Sequence, residues 1–578
     1  MNRDEVELTQ RFAVPLGFRG LARDAVVRDL VAGLTVWAVL VPEGLAYATI
    51  AGVPPVVGLY AAPAALVLYA LFGSSRHLVV GPMAAAAALS AAAVASQTGD
   101  PGEAIVLTVV LALVVGVIAT VAGLMRFGFV AAFISEPVLK GFIVGLALTI
   151  IAGQVPKLMG LHSAHGSFVE RVVDLIGDLA DVHGTSLAVG LISLVAILGL
   201  HRFAHRAPAP LIVVTAAIVA AQLLDLDGRG VAVVGDIAAG LPDLGLPDAG
   251  WSDYTTLSAS AVGIALVGFA EGLAAAKSYA ATAGYRVDPD RELLGLGAAN
   301  IGAGLSSGMV VAGSLSKTAV NGAAGARSQL SGVIVGGLTV VTLLLLTGLF
   351  EDLPEPALAA VVVAAVVDLV DLSALRRLYH VHTTGLARIY GHAARADLLA
   401  AVAALSGVLV LDTLPGLFVG IAVSAVLLVY RASRPHVAII GQLPGEERWV
   451  EVERHQDARQ PPGVVVVRPE SGLFYGNSDN VHAAILGAVD TAHGPVHGVV
   501  VDAGSVPTID ITAADMLAQL AVDLERRGIG LTVARDLGQV RDVLRHSEAA
   551  ELAATFHPTV DAAVAAVSSA APDGQDAR

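Results

Sequence analysis

Residues 31–435 consist almost continuously of apolar windows that are long enough to cross a membrane, and this feature limits the possible folds more than any other. Glu43 is the only charged residue between positions 31 and 75, and positions 77–99, 104–125 and 328–350 contain no charged residue at all. An apolar segment of about 20 residues is long enough to cross the hydrocarbon core of a bilayer. Apolar residues make up 55% of the chain and charged residues 15%, and the mean hydropathy is +0.74. The composition therefore argues against a wholly soluble protein.

Turn signals divide this stretch into about fourteen membrane spans. Examples are Pro54-Pro55, Asp100-Pro101-Gly102 and Asp288-Pro289-Asp290. Residues 1–30 carry mixed charges, so we do not expect them to act as a cleavable signal peptide. Arginines flank the first and last spans, and an even number of spans places both termini on one side. We therefore expect a multi-pass protein of the cell (inner or plasma) membrane with cytoplasmic termini.

The composition changes at about residue 436. Short apolar runs that are typical of strands, at 449–453, 464–467, 498–502 and 530–534, alternate there with predicted helices at 477–489, 511–527 and 538–546. Strands alternating with helices predict a small α/β domain. The predicted organisation is thus a cytoplasmic segment at 1–30, a transmembrane domain at 31–435, an α/β domain at 436–570 and a disordered tail at 571–578.

Two spans are interrupted by residues that disfavour a continuous helix. Gly81-Pro82 breaks one apolar stretch, and Gly313-Ser314-Leu315-Ser316-Lys317 breaks another. Irregular backbone at membrane depth is tolerated only where protein or a water-filled cavity covers it. Paired interrupted spans in corresponding halves of a chain indicate the binding site of a transporter.

The spacing of these features indicates an inverted internal repeat. Gly81 and Gly313 are 232 residues apart, and the lone intramembrane carboxylates Glu43 and Glu271 are 228 residues apart. About seven spans separate the equivalent positions, and because this number is odd, the second half would run inverted relative to the first. Coincidence in a chain with 62 glycines is the alternative explanation.

Two interrupted helices that begin near the membrane midplane would direct their N-termini at each other. Each N-terminus offers unpaired backbone N–H groups and the positive end of a helix dipole, which together bind anions. Ser314 and Ser316 add hydroxyl groups, and Lys317 adds a positive charge that requires a partner or an aqueous cavity in the membrane. The sequence therefore predicts a small anion held between residues 81–84 and 313–317.

Several long motifs occur in an order that resembles the SulP family of anion transporters, the sulfate permeases. They are Val41-Pro42-Glu43-Gly44-Leu45-Ala46-Tyr47-Ala48, Ala51-Gly52-Val53-Pro54-Pro55, Phe72-Gly73-Ser74-Ser75-Arg76-His77, Val80-Gly81-Pro82, Ser135-Glu136-Pro137-Val138 and Ser314-Leu315-Ser316-Lys317-Thr318. The resemblance implies fourteen spans in a seven-plus-seven inverted repeat and a homodimer. It also implies a core domain (spans 1–4 and 8–11) that moves against a gate domain (spans 5–7 and 12–14) in an elevator-like cycle.

The resemblance also implies a set of site residues. The substrate-binding positions would be Glu43, Tyr47, Met83, Ala84, Ser314, Leu315, Ser316 and Lys317. Glu271 matches an acidic residue associated with cation coupling in bacterial relatives. Many members carry Gln where this chain has Glu43. A carboxylate there repels an anion unless it is protonated or paired, for instance with Lys317, so Glu43 is either a second proton carrier or the mark of a different substrate.

The carboxy-terminal domain resembles the sulfate-transporter and anti-sigma-antagonist (STAS) domain. The resemblance rests on Val499-Val500-Val501-Asp502, Ser505 and Thr508-Ile509-Asp510-Ile511-Thr512-Ala513. A phosphorylated Ser of the soluble relatives corresponds to Thr512, so Thr512 and Ser505 are candidate regulatory phosphorylation sites. An ordinary helix-capping loop is the alternative explanation.

The leading functional hypothesis is a secondary-active anion transporter coupled to protons, with sulfate as the first candidate substrate. A sodium-coupled bicarbonate transporter and a dicarboxylate (fumarate-like) symporter are alternatives with the same site. A passive anion channel and a membrane-tethered STAS signalling scaffold are further hypotheses. No catalytic constellation, Walker sequence or cysteine is present. We therefore expect no enzymatic activity, no cofactor, no bound metal and no nucleic-acid partner.

Overall fold

The computed structural model describes residues 23–133, 135–161, 168–204, 208–235, 237, 239–367, 376, 392–411, 413–536, 538–554 and 556–569. The chain divides into two compact units, Met1–Ser424 and Ala425–Arg578. The tail predicted at 571–578 and residues 1–22 of the predicted N-terminal segment lie outside the described residues.

The first unit is helical, apart from two short strands. Its elements are α1 (Arg23–Ala51), α2 (Pro55–Phe72), β1 (Val79–Gly81), α3 (Ala84–Ala95), α4 (Pro101–Leu124), α5 (Glu136–Leu158), α6 (Phe168–Gly177), α7 (Gly184–Phe203), α8 (Ala209–Leu224), α9 (Ser258–Ala283), α10 (Pro289–Leu305), β2 (Ala312–Ser314), α11 (Leu315–Ala323), α12 (Leu330–Leu345), α13 (Glu355–Val367), α14 (His392–Leu411) and α15 (Thr413–Ala432). The last helix continues into the second unit.

Long apolar helices dominate this unit. Among the described residues, seven helices are long and apolar enough to cross a membrane, namely α1, α2, α4, α5, α7, α9 and α15. Further helices, including α3, α8, α12 and α13, are apolar but shorter. Many large apolar side chains of these helices remain exposed in the protein alone, as expected of surfaces that face lipid.

Local sequence explains why the third helix begins where it does. The residue before a proline is pushed out of the helical conformation, and proline itself has no N–H to donate. Gly81 is therefore the last residue of β1, and Met83 is still extended (φ −147°, ψ 155°). The helix α3 begins only at Ala84, so the apolar stretch is divided into a strand and a short helix.

The second unit is a mixed sheet with helices. Its elements are β3 (Val437–Gln442), β4 (Trp449–Glu451), β5 (Val464–Pro469), α16 (Ser478–Asp490), β6 (Gly498–Asp502), α17 (Ile511–Glu525), β7 (Gly530–Ala534), α18 (Gly538–Arg545), α19 (Ala550–Ala554) and α20 (Val560–Ser569). The strand order is β4-β3-β5-β6-β7. The strands β5, β6 and β7 are parallel, whereas β3 runs antiparallel to both β4 and β5.

The parallel strands explain the apolar runs of the sequence. Val464–Val467 and Val499–Val501 are buried, because helices cover a parallel sheet on both faces. These strands were predicted from the sequence, whereas β3 (Val437–Gln442), which begins five residues after the end of α15 at Ala432, was not.

Candidate functional site

The two interrupted segments meet in the structure. The strand β1 pairs antiparallel with β2, in the register Val79↔Ser314, Val80↔Gly313 and Gly81↔Ala312. Each strand leads into a short helix, β1 into α3 and β2 into α11. Because the strands are antiparallel, the two helices begin at opposite ends of this small sheet. The residues that the sequence analysis assigned to the two halves of an anion site are therefore neighbours.

A second set of contacts fixes this junction. Thr318 Oγ1 accepts a hydrogen bond from the Val79 amide at 3.1 Å and donates to the Ser314 carbonyl at 2.5 Å. One turn later, Asn321 Nδ2 donates to the His77 carbonyl at 2.9 Å. Thr318 and Asn321 were not among the predicted site residues. Their spacing from Ser314 on a helix was visible in the sequence, but their partners, the Val79 amide of β1 and the His77 carbonyl before it, were not.

The N-termini of the two short helices differ in how they are capped. Ser314 is the N-cap of α11, and its hydroxyl accepts a hydrogen bond from the Lys317 amide at 3.3 Å and lies 3.2 Å from the Ser316 hydroxyl. Met83 is the N-cap of α3, and its side chain makes no capping hydrogen bond. The first turn of α3 therefore presents backbone N–H groups that no capping side chain satisfies.

Lys317 is the centre of the site. Its side chain is 1% exposed, its Nζ lies 2.6 Å from Glu43 Oε2, and it donates to the Pro82 carbonyl at 3.1 Å. Nζ also lies 4.9 Å from the ring centroid of Tyr47, which is within range of a cation–π contact. Glu43 and Tyr47 are four residues apart on α1, so one face of that helix supplies both partners.

Glu43 is buried together with the lysine. Its side chain is 7% exposed, and although Oε2 is close to Nζ, the contact is an ion pair without the alignment of a hydrogen bond. Within the described residues no other side chain or amide satisfies this oxygen. The pairing that was considered in the sequence analysis is therefore the arrangement in the structure, and it leaves one carboxylate oxygen in need of a donor.

The remaining predicted residues surround this pair unequally. Met83, Ala84 and Ser314 are buried, whereas Leu315 (55% exposed) and Ser316 are exposed. The first turn of α11 is thus open on one side while Lys317 behind it is closed off.

Glu271 is on α9, the helix that packs against β2. It is half-buried on α9 and directly precedes Gly272, which packs against Gly313 of β2. A Cβ atom added to Gly313 would lie 2.7 Å from the Gly272 Cα, so the two backbones approach each other as closely as glycine permits. Any movement of α9 therefore acts directly on β2.

Buried carboxylates that were not predicted connect distant segments of the first unit. Glu292 of α10 accepts hydrogen bonds from the Tyr69 hydroxyl (2.7 Å), the Ser74 amide and hydroxyl (2.9 and 2.6 Å) and the Ser75 amide (2.9 Å). Asp29 of α1 accepts in the same way from the amides of Arg327 and Ser328. These contacts hold the loops before β1 and after α11, which explains the polar Ser74-Ser75 pair in the sequence.

In the second unit, a buried carboxylate is paired with two arginines. Asp502 Oδ2 accepts from Arg468 Nε at 2.7 Å, and Arg535 binds both carboxylate oxygens. Burial alone would raise the pKa of Asp502, but the hydrogen bonds from Arg535, Arg468 and the Gly504 amide outweigh it and lower that pKa. The carboxylate is therefore held ionised at the carboxyl end of β6.

The two candidate phosphorylation residues are both accessible. Ser505 is exposed in the turn after β6, and Thr512 is exposed as the second residue of α17. The N-cap of α17 is Asp510, whose carboxylate accepts from the Ala513 amide at 2.9 Å and from the Tyr475 amide at 2.8 Å. The capping role considered for this loop thus belongs to Asp510 and leaves the Thr512 hydroxyl outside the cap.

Comparison with known proteins gives a consistent assignment. Residues 26–390 match the sulfate permease family, and residues 455–563 match the STAS domain. A probable sulfate transporter of Mycobacterium tuberculosis is 37% identical over 529 residues, which are 91% of this chain and 92% of that protein. The chloroplastic sulfate transporter 4.1 of Arabidopsis thaliana is 31% identical and is covered over 77% of its length.

Solved structures share the fold. The structure of SLC26A9 superposes with a TM-score of 0.86 at 21% identity, covering 98% of this chain and 94% of that chain. The transmembrane domain of the cyanobacterial bicarbonate transporter BicA superposes with a TM-score of 0.60 at 22% identity, covering 68% of this chain and 98% of that domain.

Proposed function

Because the chain belongs to the sulfate permease family, we propose that it is a secondary-active transporter of a small inorganic anion, with sulfate as the first candidate substrate. The fold class, a helical multi-pass membrane protein with a carboxy-terminal STAS domain, is confirmed, and anion transport is the activity that the family supports. The fourteen spans and the seven-plus-seven repeat remain predictions.

The observation that carries the proposal is the pairing of β1 with β2. It brings the N-termini of α3 and α11 together around the buried ammonium group of Lys317. In the proposed site, the anion lies between residues 81–84 and 313–317. It accepts hydrogen bonds from the helix N-termini and from Ser314 and Ser316, while Tyr47, Met83, Ala84 and Leu315 line the site.

Coupling to protons is assigned to two carboxylates. Glu271 would bind and release a proton next to β2, and Glu43 would take a second proton when the anion displaces it from Lys317. An intramembrane carboxylate is expensive to keep charged and is functional by default. Sodium is the alternative coupling ion, since carboxylate and carbonyl oxygens suit a hard cation.

Alternating access would follow the elevator-like cycle that the resemblance to the sulfate permeases implies. In that cycle the core domain, with α1–α4 and α9–α12, carries the anion past a gate built from the other membrane helices. We further propose a homodimer in the cell (inner or plasma) membrane with both termini in the cytoplasm. Phosphorylation of Thr512 or Ser505 would regulate transport through the STAS domain.

Uptake of labelled sulfate into proteoliposomes tests the transport cycle. An inwardly directed proton gradient should drive sulfate above its equilibrium distribution, and replacing sodium by choline at fixed pH should change nothing. Glu271→Gln should still exchange sulfate but respond more weakly to the gradient, because only Glu43 is left to carry a proton. Glu103→Gln, an exposed carboxylate at the start of α4, serves as the matched control.

The alternatives give different outcomes in the same assay. A passive channel would never exceed equilibrium, and a sodium symporter would lose uptake in choline. If Glu271→Gln responded to the proton gradient as strongly as the wild type, the proton-carrying role of Glu271 would be wrong.

A further inference from the structure

The site holds a negative charge where an anion is expected to bind. Glu43 Oε2 lies 2.6 Å from Lys317 Nζ, and both side chains are almost fully buried. The ion pair therefore contributes no net formal charge, and a bound anion must share the ammonium group with a carboxylate. Two negative charges a few ångströms apart repel each other strongly in a site of low dielectric constant.

The surroundings of Glu43 supply no other charge to relieve this repulsion. The helices α2, α3, α8 and α12, which pack against α1, contain no Asp, Glu, Lys, Arg or His. The helix α13 carries Glu355 at its first residue, and α11 carries Lys317. The polar neighbour on α1 itself is Tyr47, and Glu271 is on α9, next to the glycine that packs against Gly313 of β2.

A hydrogen atom between the carboxylate and the anion would remove the conflict. An ionised carboxylate only accepts hydrogen bonds, and a protonated one also donates. An oxyanion with an O–H group can donate to ionised Glu43 while its other oxygens face Lys317 and the helix N-termini. An oxyanion without an O–H group can bind in this way only when Glu43 carries the proton.

We propose that Glu43 and the bound oxyanion share one hydrogen, so that the site prefers oxyanions bearing an O–H group and accepts sulfate only together with a proton on Glu43. This inference rests on the proposed function and specifies the substrate class of the same site. Bicarbonate and hydrogen phosphate belong to the preferred class, since both keep an O–H group near neutral pH. The buried Oε2, which lacks a hydrogen-bond donor, is the atom that would receive this hydrogen.

A structural ion pair is the alternative role of Glu43. In that case the carboxylate only holds Lys317 in place. It would then weaken the binding of all dianions of the same shape equally, with or without an O–H group. The two roles differ in what they predict for anions of the same charge and shape that differ only in an O–H group.

Hydrogen phosphate and monofluorophosphate form such a pair, because both are tetrahedral dianions at pH 8 and only the first has an O–H group. Each is added as a competitor to labelled sulfate uptake by the wild-type protein in proteoliposomes, and binding to the purified protein is measured by thermal shift. Hydrogen phosphate should inhibit sulfate uptake at a concentration at least about tenfold lower than monofluorophosphate does, because a site built around a hydrogen bond rejects the analogue that lacks it.

The pH dependence provides a second readout. Apparent sulfate affinity should fall as the pH rises, and the proton on Glu43 should contribute up to about tenfold per pH unit to this fall, because it binds together with the anion. Hydrogen phosphate should show no such fall between pH 7.5 and 9. Glu43→Gln should flatten the sulfate profile and reduce the difference between the two competitors, whereas Glu103→Gln should behave as the wild type.

The outcomes separate this inference from the proposed function. Equal competition by the two phosphates in the wild-type protein would overturn the shared hydrogen and leave anion transport intact. A sulfate profile with the same slope in Glu43→Gln as in the wild type would also overturn it. Absence of uptake of every anion at every pH would instead contradict the proposed function.

Discussion

Lys317 and Glu43 are buried side by side, and each depends on the other. Taking a charge out of water is costly, and a buried pair recovers this cost only through close contact and further hydrogen bonds. Lys317 has both the carboxylate and the Pro82 carbonyl, while Glu43 Oε2 has only the ammonium group. Removing the lysine therefore leaves an uncompensated buried carboxylate.

This dependence predicts a strongly non-additive pair of substitutions. Lys317→Ala should lower the free energy of unfolding in mixed micelles by about 3–5 kcal/mol, because Glu43 stays buried without a partner. Adding Glu43→Gln should restore most of this stability but no anion binding. If the double variant were as unstable as Lys317→Ala alone, the two side chains would not form the pair described here.

For single residues, the sequence indicated which polar side chains belong to the candidate site, but not all of the residues that they contact. Glu43, Ser314 and Lys317 stand out because charged and polar groups are rare in apolar spans. Glu292 was equally visible as a charge, yet its contact with Tyr69 joins residues 223 positions apart. No local pattern encodes such a contact, so the role of Glu292 emerged only from the structure.

The elements that form the site are two short helices joined through a small sheet. The breaks at Gly81-Pro82 and at 313–317 were predicted from residue types, because proline and glycine disfavour helix in defined ways. The pairing register of β1 with β2 could not be predicted, since each strand has only three residues and no alternating pattern. The close approach of Gly313 of β2 to Gly272 of α9 likewise has no local sequence signal.

Gly313→Ala tests whether this close approach matters. The added Cβ would lie 2.7 Å from the Gly272 Cα, so β2 or α9 must shift. We expect a loss of about 1–3 kcal/mol of stability and a larger loss of sulfate uptake, because the shift displaces Ser314 and Lys317. Gly337→Ala on α12, where an added Cβ meets no atom within 4 Å, is the control. Unchanged uptake in Gly313→Ala would show that β2 tolerates displacement.

The whole molecule combines a membrane transport unit with a STAS domain. Length and hydropathy were sufficient to predict both, since spans and α/β strands have distinct patterns along the chain. The predicted residue boundaries of the domains, the number of spans and the dimer depend on interactions that one sequence does not display. The family assignment confirms the fold class and anion transport, and the site residues remain proposals.

The most direct test of the account is the position of the bound anion. The structure of the full chain is determined twice under the same conditions, without sulfate and with sulfate at about tenfold its half-saturating concentration for uptake. We expect difference density between Met83-Ala84 and Ser314–Lys317, with Glu43 moved from Lys317 Nζ. Saturating sulfate that binds elsewhere, while the Lys317–Glu43 contact stays intact, would contradict the claim that the paired helix N-termini hold the substrate.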